Sequence, residues 1–289
     1  MRIDAGQVAV ITGAASGFGR EFARLGAARG LKLVLGDIDA VGLAAVADEL
    51  AAAGVEVASE RIDASRAPDV ERLAELAFER HGEVNLLFNN AGVATGGLVW
   101  EHGLKDWEWV LGVNVWSVIH GIRSFVPRML AQDGPGHVVS TASVAGLLSP
   151  PLMGIYNVSK HAVVALAESL YQDMRGLDRR LGVSVLCPAF VPTGINDSGR
   201  NRPAQLIDGA EPTESMKALQ ASLDHAVRSG RISAGDIARL TFEAIEQDRF
   251  YVVTHPRIMP SIRQRGDDIA QLRNPSDPYA HKPEAGRDG

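Results

Sequence analysis

Short runs of β-branched and aliphatic residues alternate along the chain with longer Ala/Leu-rich stretches whose apolar positions recur every three to four residues. The first kind suits buried strands and the second amphipathic helices. Strands are predicted at 8–11, 31–35, 55–60, 84–88, 137–140, 183–186 and Tyr251–Val253, and helices around 22–28, 43–52, 70–80, 107–130, 162–174 and 236–246. Regular strand–helix alternation predicts βαβ units, hence an α/β fold in which a doubly wound parallel sheet of about seven strands carries helices on both faces.

The rhythm breaks at 192–230, where scattered Gly, Pro, Asn and Ser precede a short amphipathic stretch around Met216, Leu219 and Leu223. An insertion this late is expected to be a substrate loop or lid, with its apolar residues facing the cleft. The segment 274–289, rich in Pro, Asp and Gly, is expected to be a mobile tail. With 289 residues, 46% of them hydrophobic and 22% charged, the chain is expected to form one domain with a large aliphatic core. The net charge of −6 is spread along the sequence without a basic stripe, so neither nucleic acid nor membrane is an expected partner. Cys187 is the only cysteine, which excludes an intrachain disulfide and a cysteine-based zinc site; no metal is expected. No apolar stretch has the length of a signal or a membrane span, and a cytoplasmic location is expected.

The first predicted strand ends in Thr12-Gly13-Ala14-Ala15-Ser16-Gly17-Phe18-Gly19 and runs directly into a helix. Glycines there permit a tight turn and let backbone N–H groups approach a pyrophosphate at the helix N-terminus. The same residues also suit a turn that holds no ligand. Asp37 ends the second strand, where a carboxylate can accept hydrogen bonds from ribose hydroxyls. Asp63 and Ala64 close the third strand at the corresponding place for adenine, although a solvated carboxylate or a plain turn fits both positions equally. Asn89-Asn90-Ala91-Gly92 follows the fourth strand. The carboxyl ends of central strands line the ligand crevice of an open parallel sheet, so this turn and the glycine loop are expected to face one cleft.

Ser143 follows the fifth strand, and Tyr156 and Lys160 open the next helix at a spacing of four, on one helix face. Tyrosine, with an ordinary pKa of about 10, is a poor base near neutrality. A lysine ammonium about 4–5 Å away, at an effective dielectric near 20, would favour the phenolate by roughly 3–4 kcal/mol. That brings the phenol into a usable range. Many helices carry such a pair with the tyrosine in the core and the lysine in solvent; here the weight comes from its position after Ser143 and Asn114.

Taken in order, these motifs resemble the short-chain dehydrogenase/reductase family over nearly the whole chain to about residue 255: the glycine loop, Asn89 to Gly92, Asn114, Ser143, Tyr156 and Lys160, then Pro188 and Thr193. The resemblance implies a Rossmann-type fold and a nicotinamide-dependent oxidoreductase that interconverts a secondary alcohol and a ketone. It makes Tyr156 the general acid/base and Ser143 the holder of the substrate oxygen. Lys160 would bind the nicotinamide ribose and lower the tyrosine pKa, and Asn114 would hold a water linking Lys160 to solvent. Thr12, Gly13, Ser16, Gly17, Phe18 and Gly19 would wrap the pyrophosphate. Asp37, Ile38, Asp63 and Ala64 would hold the adenosine; Asn90, Ala91 and Gly92 would lie along the ribose; Pro188, Val191 and Thr193 would orient the nicotinamide.

Asp37 and Asp39, with no basic residue beside them and a neutral Ser16 in the loop, favour NAD over NADP, whose extra phosphate would meet two carboxylates. The family default is a homotetramer or homodimer, formed through the helices at 107–130 and 162–174. Trp109, Val110, Val113, Trp116 and Ile119 fit such an interface and a wholly buried helix equally. Pro127 is expected to kink or end the first of these helices. The segment 192–230 is similar to that of bacterial members that oxidise benzylic secondary alcohols, which implies a small-molecule substrate of apolar or aryl character. The alternative to an enzyme is an idle dinucleotide-binding sensor or scaffold, for which an intact Ser143, Tyr156 and Lys160 would be superfluous.

Overall fold

The predicted strands assemble, in a computed structural model described over residues 1–177, 181–207, 209 and 211–281, as β1 (Val8–Thr12), β2 (Lys32–Asp37), β3 (Val57–Arg61), β4 (Leu86–Asn89), β5 (Gly136–Thr141), β6 (Leu181–Cys187) and β7 (Tyr251–Val253). They form one sheet, ordered β3-β2-β1-β4-β5-β6-β7, with every adjacent pair parallel. The helices are α1 (Gly17–Ala28), α2 (Ala40–Ala52), α3 (Ala67–His81), α4 (Leu104–Leu111), α5 (Ser117–Ala131), α6 (Gly154–Gly176), α7 (Glu214–Arg228), α8 (Ala234–Glu246) and α9 (Met259–Ala270).

Alternation along each strand divides the core in two. Ala9 and Ile11 of β1 pack with Phe22 of α1, Leu43 of α2 and Phe242 of α8 on one face. Val8 and Val10 pack with Val70 of α3, Phe125 of α5 and Leu170 of α6 on the other. On the first face Phe88 stacks between Phe22 and Phe242, with ring centroids 4.7 and 5.6 Å away. Strands buried on both sides read as continuous apolar runs for this reason.

The helix expected over 107–130 is interrupted. A π-helical turn at Gly112–Trp116 separates α4 from α5, and such turns are frequent at functional sites. Pro127 does not end α5, which continues to Ala131. Trp109 and Val110 are buried within the chain, whereas Trp116 stays 51% exposed. Among the described residues no helix is long and apolar enough to cross a membrane, and no group of three or more His, Cys, Asp or Glu side chains is placed to hold a metal.

The sheet winds outward from β1 to β3 and then returns past β1 to β4. The loops leaving β1 and β4 therefore diverge to opposite faces and open a crevice at their carboxyl ends.

Candidate active site

A cavity of about 860 Å³ occupies that crevice and reaches from Asp37 to Tyr156. Its glycine-loop wall is backbone against backbone. Gly13 and Gly17 adopt φ of +69° and +53°, where a Cβ is penalised. A Cβ on Gly19 would lie 2.0 Å from the Gly13 carbonyl oxygen. Asp37 braces this turn, its Oδ2 accepting the Ala15 N–H and its Oδ1 the Asp39 N–H, both at 2.9 Å. Burial pushes the Asp37 carboxyl above the ordinary carboxylate range, and the two backbone donors oppose the rise. Bare backbone at a helix N-terminus with a half-buried carboxylate at the next strand end fits a dinucleotide's pyrophosphate and ribose.

Gly13, Ser16, Gly17, Phe18, Asp37, Ile38, Asp63, Ala64, Asn90, Ala91, Gly92, Ser143, Tyr156, Lys160, Pro188, Val191 and Thr193 all line this one cavity. Thr12, Gly19 and Asn114 do not, and they act from behind its wall. Thr12, 3% exposed, accepts the N–H groups of Asn90 and Ala91 at its Oγ1 and so ties β1 to the β4 turn. Asn114, in the π turn, accepts the Val93 N–H and donates to the Val93 carbonyl and the Ser159 hydroxyl, at 2.8 to 2.9 Å. Asn90 spans the crevice floor, donating to the Thr12 carbonyl and accepting from the Thr141 hydroxyl. Asp63 takes both the N–H and the hydroxyl of Ser65, the geometry of a plain Asx turn.

At the far end Ser143 and Tyr156, both buried, line the cavity together, and the Ser143 hydroxyl donates to the Pro188 carbonyl oxygen at 3.3 Å. Lys160 is buried, donates to the Thr141 carbonyl at 2.9 Å and lies 5.6 Å from the Tyr156 ring centroid. Burial pushes the phenol up to about 12 against the pull of Ser143, and pushes Lys160 down to about 8. This corrects the expectation that Lys160 brings the phenol down. The reason is desolvation: the phenol packs among Ala145, Met153, Leu219 and Leu223, and enclosure disfavours the phenolate.

Described residues of segment 192–230 cover this end. Thr193 lies over the glycine loop, since a Cβ on Gly17 would touch its side chain at 3.5 Å. Helix α7 is capped by the Thr213 hydroxyl and joined to the loop after β4, where Glu101 accepts hydrogen bonds from Thr213 and Ser215 and the Leu98 N–H donates to the Ser215 hydroxyl. Leu223 and Val227 face the cavity. Met216 faces away from it, onto Gly97, and Leu219 seats on Gly96. The expectation that Met216 and Leu219 line the cleft is thus corrected by about one helical turn.

Several lining residues were not expected at the site from the sequence. Met153 and Phe190 flank Tyr156, Trp109 contributes from α4, and His255 and Arg257 from the turn after β7. Pro278 and Tyr279 also line the cavity, so the described part of the tail returns to the cleft. Residues 282–289, the rest of the expected tail, lie outside the described residues. The Gly96-Gly97 pair was the one local clue to where α7 docks.

The sequence profile of the family described as short chain dehydrogenase matches residues 7–204. The chain is 36% identical over 265 residues to a 1-deoxy-11-beta-hydroxypentalenate dehydrogenase of Streptomyces exfoliatus, which spans 91% of this chain and 88% of that protein. It is 34% identical over 262 residues to a CLA biosynthesis dehydrogenase/reductase of Lactiplantibacillus plantarum, covering 90% and 91%. The fold matches the crystal structure of a short chain dehydrogenase/reductase from Burkholderia phymatum in complex with NAD, with a TM-score of 0.94 and 56% identity over 96% of this chain and 99% of that one.

Proposed function

The chain belongs to the short-chain dehydrogenase/reductase family of oxidoreductases, and from that premise we propose that it interconverts a secondary alcohol and a ketone, with NAD preferred over NADP and Tyr156 as acid/base. The observation that carries this reading is the hydroxyl pair of Ser143 and Tyr156, buried at one end of a cavity whose other end presents Asp37. A bound nicotinamide dinucleotide supplies the hydride acceptor or donor. Gly13, Gly17, Phe18 and Asp37 would hold its adenosine and pyrophosphate end, and Lys160, Pro188, Val191 and Thr193 the nicotinamide end.

In oxidation, the Tyr156 phenolate takes the carbinol proton while the Ser143 hydroxyl donates to the substrate oxygen and fixes it. In reduction, the neutral phenol returns that proton to the oxygen. Lys160, 5.6 Å from the ring centroid, would hold the nicotinamide ribose beside the phenol, and Asn114 keeps the Val93 and Ser159 walls in place around it. The lid and its apolar lining exclude water and orient the carbon that reacts. Trp109, Met153, Phe190 and Leu223 favour a substrate with an apolar or aryl body. Support for NAD comes from the similar protein crystallised in complex with it, and support for action on a hydroxyl from the similar dehydrogenase named for a hydroxypentalenate. Trp116 and Val158, 51% and 48% exposed, favour a second copy against the π turn and α6, as in a homodimer or homotetramer.

The test is reduced-cofactor absorbance with the full-length protein, both cofactors and a panel of secondary alcohols and ketones. Tyr156→Phe is expected to lower turnover by roughly 10²-fold or more while NAD affinity and melting temperature stay unchanged. Lys160→Ala is expected to lower both turnover and NAD affinity. Near-normal turnover by Tyr156→Phe would remove the proposed proton transfer.

A further inference from the structure

The two ends of the cavity differ in charge. Asp37, Asp39 and Asp63 line the adenosine end and Glu108 the wall at α4, whereas the turn after β7 contributes His255 and Arg257 and no carboxylate. The sheet register fixes where that turn stands. Val253 pairs with Cys187, so the residues after β7 lie beside Pro188 and Ala189, and the His255 Nδ1 accepts the Ala189 N–H at 3.3 Å. The Ser143 hydroxyl reaches the carbonyl of the adjacent Pro188. Arg257 thus enters the cleft two residues beyond a side chain that braces the catalytic end.

Among the described residues the Arg257 guanidinium has no hydrogen-bond or ion-pair partner. Arg200, the other arginine of the lining, is committed to the Gly194 and Asp197 carbonyls at 2.8 and 2.7 Å. His255 uses Nδ1 as an acceptor from Ala189, and burial holds its pKa below the ordinary value. The neutral ring therefore carries its proton on Nε2 and is a donor there. Asp268, 4% exposed, accepts from Gln264, Arg273 and the Ser276 N–H at 2.9 to 3.1 Å. That anchor turns the chain back so that Tyr279 and His281 join the lining.

An unpaired planar guanidinium at the edge of an apolar cavity matches a carboxylate in charge and in fork geometry. We propose that Arg257, on the same turn as His255 and in the lining that Tyr279 and His281 also join, is a subsite for a carboxylate on the substrate, so that the enzyme acts on a hydroxy acid. The carbinol lies at Ser143 and Tyr156, the apolar body along Met153 and Leu223, and the acid at Arg257. The carbinol end of this assignment rests on the alcohol-dehydrogenase reading; the acid end does not.

Binding and turnover separate the two. Calorimetry on the NAD-loaded full-length protein, with which a ketone does not react, compares 4-acetylbenzoate with methyl 4-acetylbenzoate, and kinetics with NAD compares the corresponding alcohols. The acid is expected to bind at least tenfold more tightly than the ester. Arg257→Gln is expected to remove that difference while leaving ester binding and NAD affinity unchanged, and Arg257→Lys to restore part of it. Equal binding of acid and ester by the wild type, or an equal loss of both in Arg257→Gln, overturns the subsite. Tighter acid binding with no turnover of either alcohol supports the subsite and counts against the alcohol-dehydrogenase reading alone.

Discussion

Leu219 occupies the space that a side chain on Gly96 would need: a Cβ there would lie 1.8 Å from Leu219 Cδ2 and 2.6 Å from the Leu152 carbonyl oxygen. Helix α7 reaches Tyr156 only because the loop after β4 offers a glycine seat. Gly96→Ala is therefore expected to lift α7 off the catalytic end. Overpacking of this kind costs about 1–3 kcal/mol, so kcat/KM is expected to fall roughly tenfold to a hundredfold with NAD affinity unchanged. Steady-state kinetics and tryptophan-fluorescence titration of NAD check this; wild-type kinetics in the variant would show that the lid needs no such seat.

The same helix makes a contrast within itself. Leu223 faces the cavity and Met216 packs on Gly97. Leu223→Ala is expected to reorder the ranking of alcohols by kcat/KM, with bulkier ones gaining. Met216→Ala is expected to lower turnover of all of them alike, with a lower melting temperature. A substrate ranking altered by Met216→Ala and left intact by Leu223→Ala would reverse the two assignments.

Cofactor choice follows from Asp37, which already accepts two backbone N–H groups and would face the 2′-phosphate of NADP. At about 5 Å and an effective dielectric near 20, each phosphate charge meets roughly 3 kcal/mol of repulsion before screening. An NAD preference of about 10²-fold or more in kcat/KM is expected, relaxed or inverted by Asp37→Ser with Ile38→Arg. Kinetics with both cofactors decides it, and a wild type that prefers NADP contradicts the assignment.

His137 predicts an acid limb in stability. It is fully buried on β5, bonded through Nε2 to the Ser184 hydroxyl, and burial pushes its pKa down to about 3 from an ordinary 6.5. Between those values the unfolded chain binds a proton that the folded chain rejects, so stability falls as pH drops below 6.5 and is unaffected by this group above it. The slope reaches about 1.4 kcal/mol per pH unit. His137→Asn is expected to be less stable at pH 8, yet to lose roughly 2 kcal/mol less than the wild type between pH 6.5 and pH 5. Urea unfolding of both proteins across that range gives the comparison, and parallel pH profiles would rule His137 out.

The strand–helix alternation, the sheet class and the positions of the glycine loop, Asp37, Ser143, Tyr156 and Lys160 were legible in the sequence, because each depends on local periodicity or on the end of one strand. Residues 107–130 read as one helix, since the π turn that carries Asn114 depends on contacts with Val93 and Ser159 from other elements. The phenol's rise was equally hidden: proximity to lysine follows from a spacing of four, whereas desolvation depends on Met153, Leu219 and Leu223 closing over Tyr156. Met216 and Leu223 share an amphipathic stripe, and only docking against Gly96 and Gly97 decides which of them meets the cleft. Arg257 and Tyr279 are unremarkable in sequence and enter the site through the Val253–Cys187 register and the Asp268 anchor. The sequence by itself determined the elements and which residues stand at their ends; burial, the register of α7 and the far lining of the cavity were decided by the tertiary structure, because desolvation and packing depend on neighbours distant along the chain.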